Sequence, residues 1–220
     1  MRVISGRFKG MALATPKQGT RPTTDRTKEA IFSHLDSWGV LDDARVLDLF
    51  AGTGALGIEA LSRGARELTA VEASRPAAAL VGKTLAQLKR NRSWTSDLRA
   101  QVLVRKAEAV ASGTANAPYD VVFIDPPYIF ATEDCNQLLA ALVENGWVNT
   151  RSVIVLERSA RSIEPVTPAG WEITQSRAYG ETAVFYIEAA SVDSESTDSE
   201  DTEPGNAVSA DQREGEGGAD

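Results

Sequence analysis

One cysteine and one histidine in 220 residues remove two large classes of chemistry from consideration. Cys135 has no partner for an intrachain disulfide, so a reducing compartment such as the cytoplasm suits the chain. With His34 as the single imidazole, a zinc site built from Cys and His is not expected, and no metal is assigned. No apolar run approaches the ~20 residues of a membrane span. Met1 opens no signal-peptide pattern, so no membrane partner is expected. Cys135 also lacks a histidine to activate it and reads as an incidental thiol. His34 falls in an expected helix and reads as structural.

The net charge of −8 would be unusual for a protein that meets nucleic acid, but the charge is unevenly placed. From Ser191 the composition changes to Ser, Asp, Glu and Gly, and residues 191–220 hold ten acids against Arg213 alone. That is the composition of a disordered acidic tail. Residues 1–190 are nearly balanced, with 22 bases and 21 acids. Met1 to Ala30 carries seven bases, Arg2, Arg7, Lys9, Lys17, Arg21, Arg26 and Lys28, against Asp25 and Glu29. This arm is suited to phosphates, the bland alternative being a solvated charged surface.

Two short segments carry most of the chemistry. Asp48-Leu-Phe-Ala-Gly-Thr-Gly-Ala-Leu-Gly57 ends the apolar run Val46 to Phe50 and opens a helix. Gly52, Gly54 and Gly57 form G-x-G-x-x-G in the strand-to-helix context that a nucleotide-binding loop requires. Glycine allows the tight turn and lets a ligand come close to the amides. Glu72 ends the next apolar run, twenty positions after Gly52, where a carboxylate can bind ribose hydroxyls. The loop alone does not separate a nicotinamide dinucleotide from S-adenosylmethionine. Asp48 favours the latter, because a carboxylate there can accept from a methionine ammonium and would gain nothing from a pyrophosphate. Its bland reading is a buried carboxylate bonded to backbone. Phe50, within the same segment, completes the cofactor-binding set.

The second segment is Asp125-Pro126-Pro127-Tyr128, which ends the run Tyr119 to Ile124. Two prolines fix φ and donate no hydrogen bond, so they stop the strand and aim carbonyls into the cleft at its carboxyl edge. The Asp125 carboxylate and the Pro126 carbonyl can each accept one N–H of a planar amine, and Tyr128 offers a face for stacking. Together the two segments point to methyl transfer from S-adenosylmethionine to nitrogen. The bland reading of the second is a strand terminator with a capping Asp.

The rest of the chain alternates strands and helices. Val3-Ile4 and Met11 to Ala14 flank a glycine-bounded turn and read as a small β-hairpin, followed by a helix from about Thr24 to Leu35. Strands are expected at 45–50, 67–72, 101–105, 119–125 and 153–157, and helices at 55–63, from Ser74 to about Arg90, near 107–112 and at 133–144. Glu172 to Ala178 and Ala183 to Glu188 flank Tyr179-Gly-Glu-Thr182 and should pair antiparallel. The expected fold is therefore α/β, a doubly wound and mainly parallel seven-stranded sheet ending in an antiparallel hairpin. Residues 1–40 read as a β-hairpin and helix extension carrying the basic arm, 41–190 as the catalytic domain and 191–220 as the tail.

Residues 1–190 resemble the bacterial 16S ribosomal RNA guanine-N2 methyltransferases of the RsmD-like family. The matching segments are Arg2 to Gly10, Gly19-Thr-Arg-Pro-Thr-Thr-Asp-Arg26, Asp48 to Gly57, Glu59-Ala-Leu-Ser-Arg-Gly64, Asp125 to Tyr128 and Asn145-Gly-Trp147. The resemblance implies a Rossmann-like class I methyltransferase fold, S-adenosylmethionine as cofactor, and methylation of the 2-amino group of the guanine at position 966 of the small-subunit RNA. It implies as substrate an assembled or partly assembled small ribosomal subunit, where ribosomal proteins help form the site; a monomer is expected. By position, Asp125, Pro126, Pro127 and Tyr128 would grip the guanine, and Asp48, Gly52, Gly54 and Glu72 the cofactor. Arg7, Lys9, Arg21, Thr23 and Arg26 would meet RNA, so the resemblance makes the extension of residues 1–40 RNA-binding. Where many methyltransferases place Asp or Asn beside the adenine, this chain has Arg105-Lys-Ala-Glu108, and that contact stays unassigned.

The claw also serves adenine-N6 methylation of DNA and glutamine methylation of proteins. A sequence-specific DNA enzyme would need a recognition domain for which 220 residues leave no space. A non-enzymatic assembly factor with a vestigial cofactor fold is the alternative outside enzymes.

Overall fold

Strands covered on both faces must be apolar almost throughout, and the central strands of this chain are. The computed structural model describes residues 1–14 and 25–191. In it, β1 (Arg45–Leu49), β2 (Glu67–Val71), β3 (Arg99–Leu103), β4 (Val121–Ile124) and β5 (Val153–Ser159) run parallel, and β6 (Trp171–Tyr179) and β7 (Thr182–Ala189) close the sheet. Their order is β3-β2-β1-β4-β5-β7-β6, with β7 antiparallel to both neighbours. The helices divide between the two faces. Side chains of α1 (Asp25–Trp38), α2 (Ala55–Arg63) and α3 (Arg75–Leu88) cluster with Val46, Leu68, Phe123, Val155 and Tyr186. Those of α4 (Ala107–Ala111) and α5 (Thr132–Glu144) cluster with Leu47, Leu49, Val122, Ile124 and Leu156. The chain leaves β1 toward β2 and β3, then returns to the other side of β1 as β4. A cleft therefore opens at the carboxyl ends of β1 and β4, where doubly wound sheets bind ligands.

The expected seven-stranded sheet with its terminal hairpin is present, and most boundaries fall within two residues of expectation. Helix α2 starts and stops where expected, and Ser74 caps α3 by accepting from the Ala77 amide. Strand β3 lies two residues earlier than expected, over Arg99–Leu103. Its partner β2 ends at Val71, which pairs with Leu103, so Val104 and Arg105 have nothing left to pair with. Helix α1 runs on to Trp38, whose ring meets His34 and Tyr186. His34 is half-buried between those two aromatic rings, and burial together with Arg177 lowers its pKa. Cys135 is buried on α5 in the second core cluster. Residues 15–24, with Arg21 and Thr23, and the acidic stretch from residue 192, which was expected to be a disordered tail, lie outside the described residues.

The amino-terminal hairpin is reduced to one antiparallel bridge, Arg2 with Ala12. Beyond it the Ser5 amide, the next in phase to continue the ladder, donates instead to Glu59 Oε1 of α2 at 3.0 Å, and the outward-facing Ile4 amide donates to Oε2 at 2.9 Å. Glu59 is fully buried and also takes Lys28 Nζ of α1 and Arg63 Nε of its own helix, each at 3.0 Å. Lys28 Nζ donates in addition to the Arg2 carbonyl at 2.8 Å. Lys28 is thus no part of a phosphate-facing surface: it is buried and neutralised. One turn further along α2, Ser62 receives the amide of Phe8 on Oγ and that of Arg7 on its carbonyl. Gly6 passes so close that a Cβ there would lie 1.9 Å from the Ser62 carbonyl oxygen.

Removing Glu59 would strand the buried Lys28 ammonium and two amides. Glu59→Ala should destabilise the fold by about 3–5 kcal/mol, the usual cost of breaking a buried ion pair from one side. Adding Lys28→Met should recover part of that loss. Urea unfolding of the two variants checks both statements, and a double variant less stable than the single one would contradict the ion-pair account.

Candidate active site

Four parallel strands, β1, β2, β4 and β5, each carry an acid at or just past the carboxyl end. Asp48, Glu72, Asp125 and Glu157 all line one cavity of about 630 Å3. Phe50, Gly52, Pro126, Pro127 and Tyr128 line it too, as do Arg105, Lys106, Ala107 and Glu108 from the β3–α4 connection. Thr27 of α1 and Phe130 contribute to the same wall. The glycine loop and the proline claw therefore share one site.

The loop is built by conformation at two glycines and by space at the third. Phe50 already turns back with φ 61°, a left-handed value costly for a residue with Cβ, and its ring packs edge-on against Phe130 at 5.1 Å. Gly52 and Gly54 follow at φ 56° and 74°. Gly57 lies inside α2, where a Cβ would come within 2.4 Å of Leu68 Cδ1 and 2.9 Å of Asp48 Oδ2. Its role is close helix–strand approach, which brings its amide to Asp48 Oδ2 at 2.9 Å. Glu72 is fixed from both sides, Oε2 accepting from Gly52 N at 2.8 Å and Oε1 from Ser74 N at 2.6 Å. Each oxygen keeps a lone pair for a further donor, as a ribose diol requires.

Asp48 satisfies the bland reading in part, since it is buried and backbone-bonded, and it lines the cavity as well. Burial pushes its carboxyl up to about 7, against the Gly57 hydrogen bond, and the nearby Asp125 and Glu72 raise it further. A cationic group placed in the cavity would reverse that balance. The claw leaves β4 with Asp125 half-buried, Pro126 buried and Tyr128 65% exposed, its ring face open to a planar partner. Behind it the Phe130 amide donates to the Pro127 carbonyl at 2.8 Å, and Arg158 Nη2 braces the Phe130 carbonyl at 2.7 Å.

Glu157 and Arg158 are the site residues that sequence reading missed. A signal was present: Glu157 follows the apolar run Val153 to Leu156, as Glu72 and Asp125 follow theirs. Arg7, Lys9 and Arg26 are exposed, away from the cavity lining, while Arg21 and Thr23 lie outside the described residues. Among the described residues no group of three or more His, Cys, Asp or Glu is arranged to hold a metal ion, and no helix is long and apolar enough to cross a membrane.

Residues 1–188 match the family described as Conserved hypothetical protein 95. Ribosomal RNA small subunit methyltransferase D of Escherichia coli K12 is 35% identical over 184 residues, 83% of this chain and 87% of that protein. Its namesake in Haemophilus influenzae is 33% identical over 182 residues, 82% of this chain and 89% of that protein. The solved structure of yhhF from Escherichia coli superposes with a TM-score of 0.74 at 34% identity, covering 86% of this chain and 99% of that one. The chain belongs to this family, that of ribosomal RNA small subunit methyltransferase D, and the sheet has its class I methyltransferase order.

The state of Asp48 makes stability depend on pH. Its folded pKa of about 7 lies above the ordinary 3.8, so the fold holds the proton more tightly than the unfolded chain does. That contribution is complete below about pH 4 and is lost as pH rises through 7. Asp48→Asn, which keeps an acceptor for Gly57, removes the dependence. The stability of this variant relative to the parent, without ligand, should therefore grow between pH 4 and 7 by up to about 4 kcal/mol. Urea unfolding across that range measures it, and a constant difference would refute it.

Proposed function

We propose that this family member transfers a methyl group from S-adenosylmethionine to the exocyclic 2-amino group of a guanine in small-subunit ribosomal RNA, position 966 of the 16S molecule. The observation that carries the reading is the shared cavity. A claw for a planar amine stands one strand away from a glycine loop with a fixed ribose-binding acid. The donor set suits S-adenosylmethionine: Glu72 for the ribose hydroxyls, Asp48 for the methionine ammonium, and the Gly52 to Gly54 turn for close approach. Such a cofactor supplies an electrophilic methyl on a sulfonium centre. The names of the relatives support an RNA substrate from the small subunit.

The chain's own residues answer the chemical difficulty of the reaction. A guanine 2-amino nitrogen is a poor nucleophile because its lone pair is delocalised into the ring. The Asp125 carboxylate and the Pro126 carbonyl each accept one N–H, which fixes the amine and favours lone-pair density on nitrogen. Two prolines hold these acceptors at fixed φ, so little reorganisation is needed. After transfer the amine is cationic, and its proton passes to Asp125 or to water. Tyr128 stacks on the base, which must first be unstacked to reach the claw. Exposed Arg7, Lys9 and Arg26, with Arg21 and Thr23, serve the RNA backbone and give binding a steep salt dependence.

Mapping methylated nucleosides of small-subunit RNA by mass, with and without this protein, tests the assignment; a methylated adenine, or methylated glutamine in protein, would replace it. Asp125→Ala should lower single-turnover methylation by ~10²–10³ while changing cofactor affinity much less. Tyr128→Phe should be tolerated and Tyr128→Ala severely impaired, since stacking needs only the ring. Equal losses in the two Tyr128 variants would assign the role to the hydroxyl instead.

A further inference from the structure

Glu157 occupies the wall of the cavity that the cofactor reading does not use. The residue is 3% exposed, lines the cavity, and its Oε1 accepts no hydrogen bond among the described residues. Its position in the sheet says what it faces. In the order β2-β1-β4-β5, the glycine loop and Glu72 stand on one side of the claw and Glu157 on the other. Phe123 of β4 pairs with Val155 of β5, and Asp125 and Glu157 each follow by two residues. Continued one residue past the Ile124–Leu156 pair, that register sets Asp125 opposite Glu157 at the same height. The group held by Asp125 lies between the cofactor loop and Glu157.

We propose that Glu157 determines which base is accepted: its unpartnered oxygen takes the N1–H of the target guanine while Asp125 and Pro126 hold the 2-amino group. This rests on the guanine-N2 reading above. Guanine carries the N1–H donor directly beside its 2-amino donor, so two acceptors on neighbouring strands match two adjacent donors on one edge. Against the ionised carboxylate, a purine whose N1 is a lone pair loses that bond and meets repulsion; a Glu157 that keeps its proton could donate to such a base, so the preference for guanine is strongest at high pH. Burial, then the nearby Asp125 and Asp48, push the Glu157 carboxyl well above the usual carboxylate range. A guanine N–H favours its ionised, accepting form.

The test uses small subunits reconstituted with RNA carrying either guanine or 2,6-diaminopurine at the target position. The analogue keeps the 2-amino nucleophile and lacks N1–H. The parent protein should methylate guanine faster by at least ~10², since a site built around a donor rejects substrates without it. Glu157→Met should bring that ratio to within about tenfold by slowing guanine alone. Glu157→Gln, which keeps a carbonyl acceptor, should retain most of the preference. S-adenosylmethionine affinity, measured by calorimetry, should stay within about threefold of the parent in both variants. A guanine-to-analogue ratio unchanged in Glu157→Met, or a loss confined to cofactor binding, overturns the role of Glu157 while leaving the function intact. No methyl on guanine from the parent protein would overturn the functional reading, and this inference with it.

Discussion

The carboxylate of Glu59 ties the amino-terminal arm and α1 to α2, the helix that the glycine loop opens. It is buried, and on its own such a charge would be expensive, but four donors converge on it from three segments of the chain. Ile4 and Ser5 come from the amino-terminal arm, Lys28 from α1, and Arg63 from α2 itself. The helix that carries Glu59 is also the helix that the glycine loop opens. A displacement of α2 would therefore move the loop, the arm and α1 together. Met1 and Thr27, both on the cavity wall, are held there by segments that Glu59 anchors. Arg2 to Gly10 and Glu59 to Gly64 meet through these bonds, although neither contains a group suited to methyl transfer. The two stretches are the halves of one interlocked joint.

The cavity itself is electrostatically unrelaxed. Asp48 and Glu157 have raised pKa values because each is buried and each faces other carboxylates. A fold optimised only for stability would replace such groups by apolar ones. Their retention makes sense if the missing positive charge and N–H donors arrive with the ligands. On the proposed reading the sulfonium and ammonium of the cofactor would lie toward Asp48, and the donors of the base toward Asp125 and Glu157. On this view ligand binding and proton release from the site are linked, and the acids that weaken the empty protein strengthen the occupied one. Phe50 fits the same pattern on the backbone side. A residue with Cβ sits at a left-handed φ where the cofactor loop begins, and strain of that kind persists where the surroundings fix it.

How much of this the sequence disclosed depended on whether the signal was local. Alternating apolar runs and punctuation residues located every strand and helix, and Ser74 marked a helix start by its own chemistry. Glycine loop and claw were legible because each is a contiguous segment with a distinctive order of residues. Lys28 was misread for the opposite reason. As one of seven bases in a stretch of thirty it looked like part of a charged surface, and only the fold brings Glu59 to it across 31 positions of sequence. Beyond its one bridge the hairpin gives its next in-phase amide to the same distant acceptor. Strand β3 was offset because strand ends are set by the neighbour's length, a property of β2. Glu157 was overlooked because an acid ending one strand means little until four such strands lie side by side.

That side-by-side arrangement separates two tasks that a smaller site would merge. β1 and β2 end in the loop and acid suited to an adenosine, and β4 and β5 end in the groups suited to a base. The border between them is the point where the chain reverses direction across the sheet. Asp48 and Asp125 flank that border on adjacent strands, with Asp48 paired to Phe123 two residues before the claw. Neighbouring strands are about 5 Å apart, close enough for ligands held at their two ends to bring reacting atoms within ~3–3.5 Å. The backbone ladder between β1 and β4 fixes how the two halves of the site stand to one another, and the glycine loop and the claw just past the strand ends set the final placement. Evolution of a different acceptor on this scaffold would then require changes at the ends of β4 and β5 alone, with the cofactor half left as it stands.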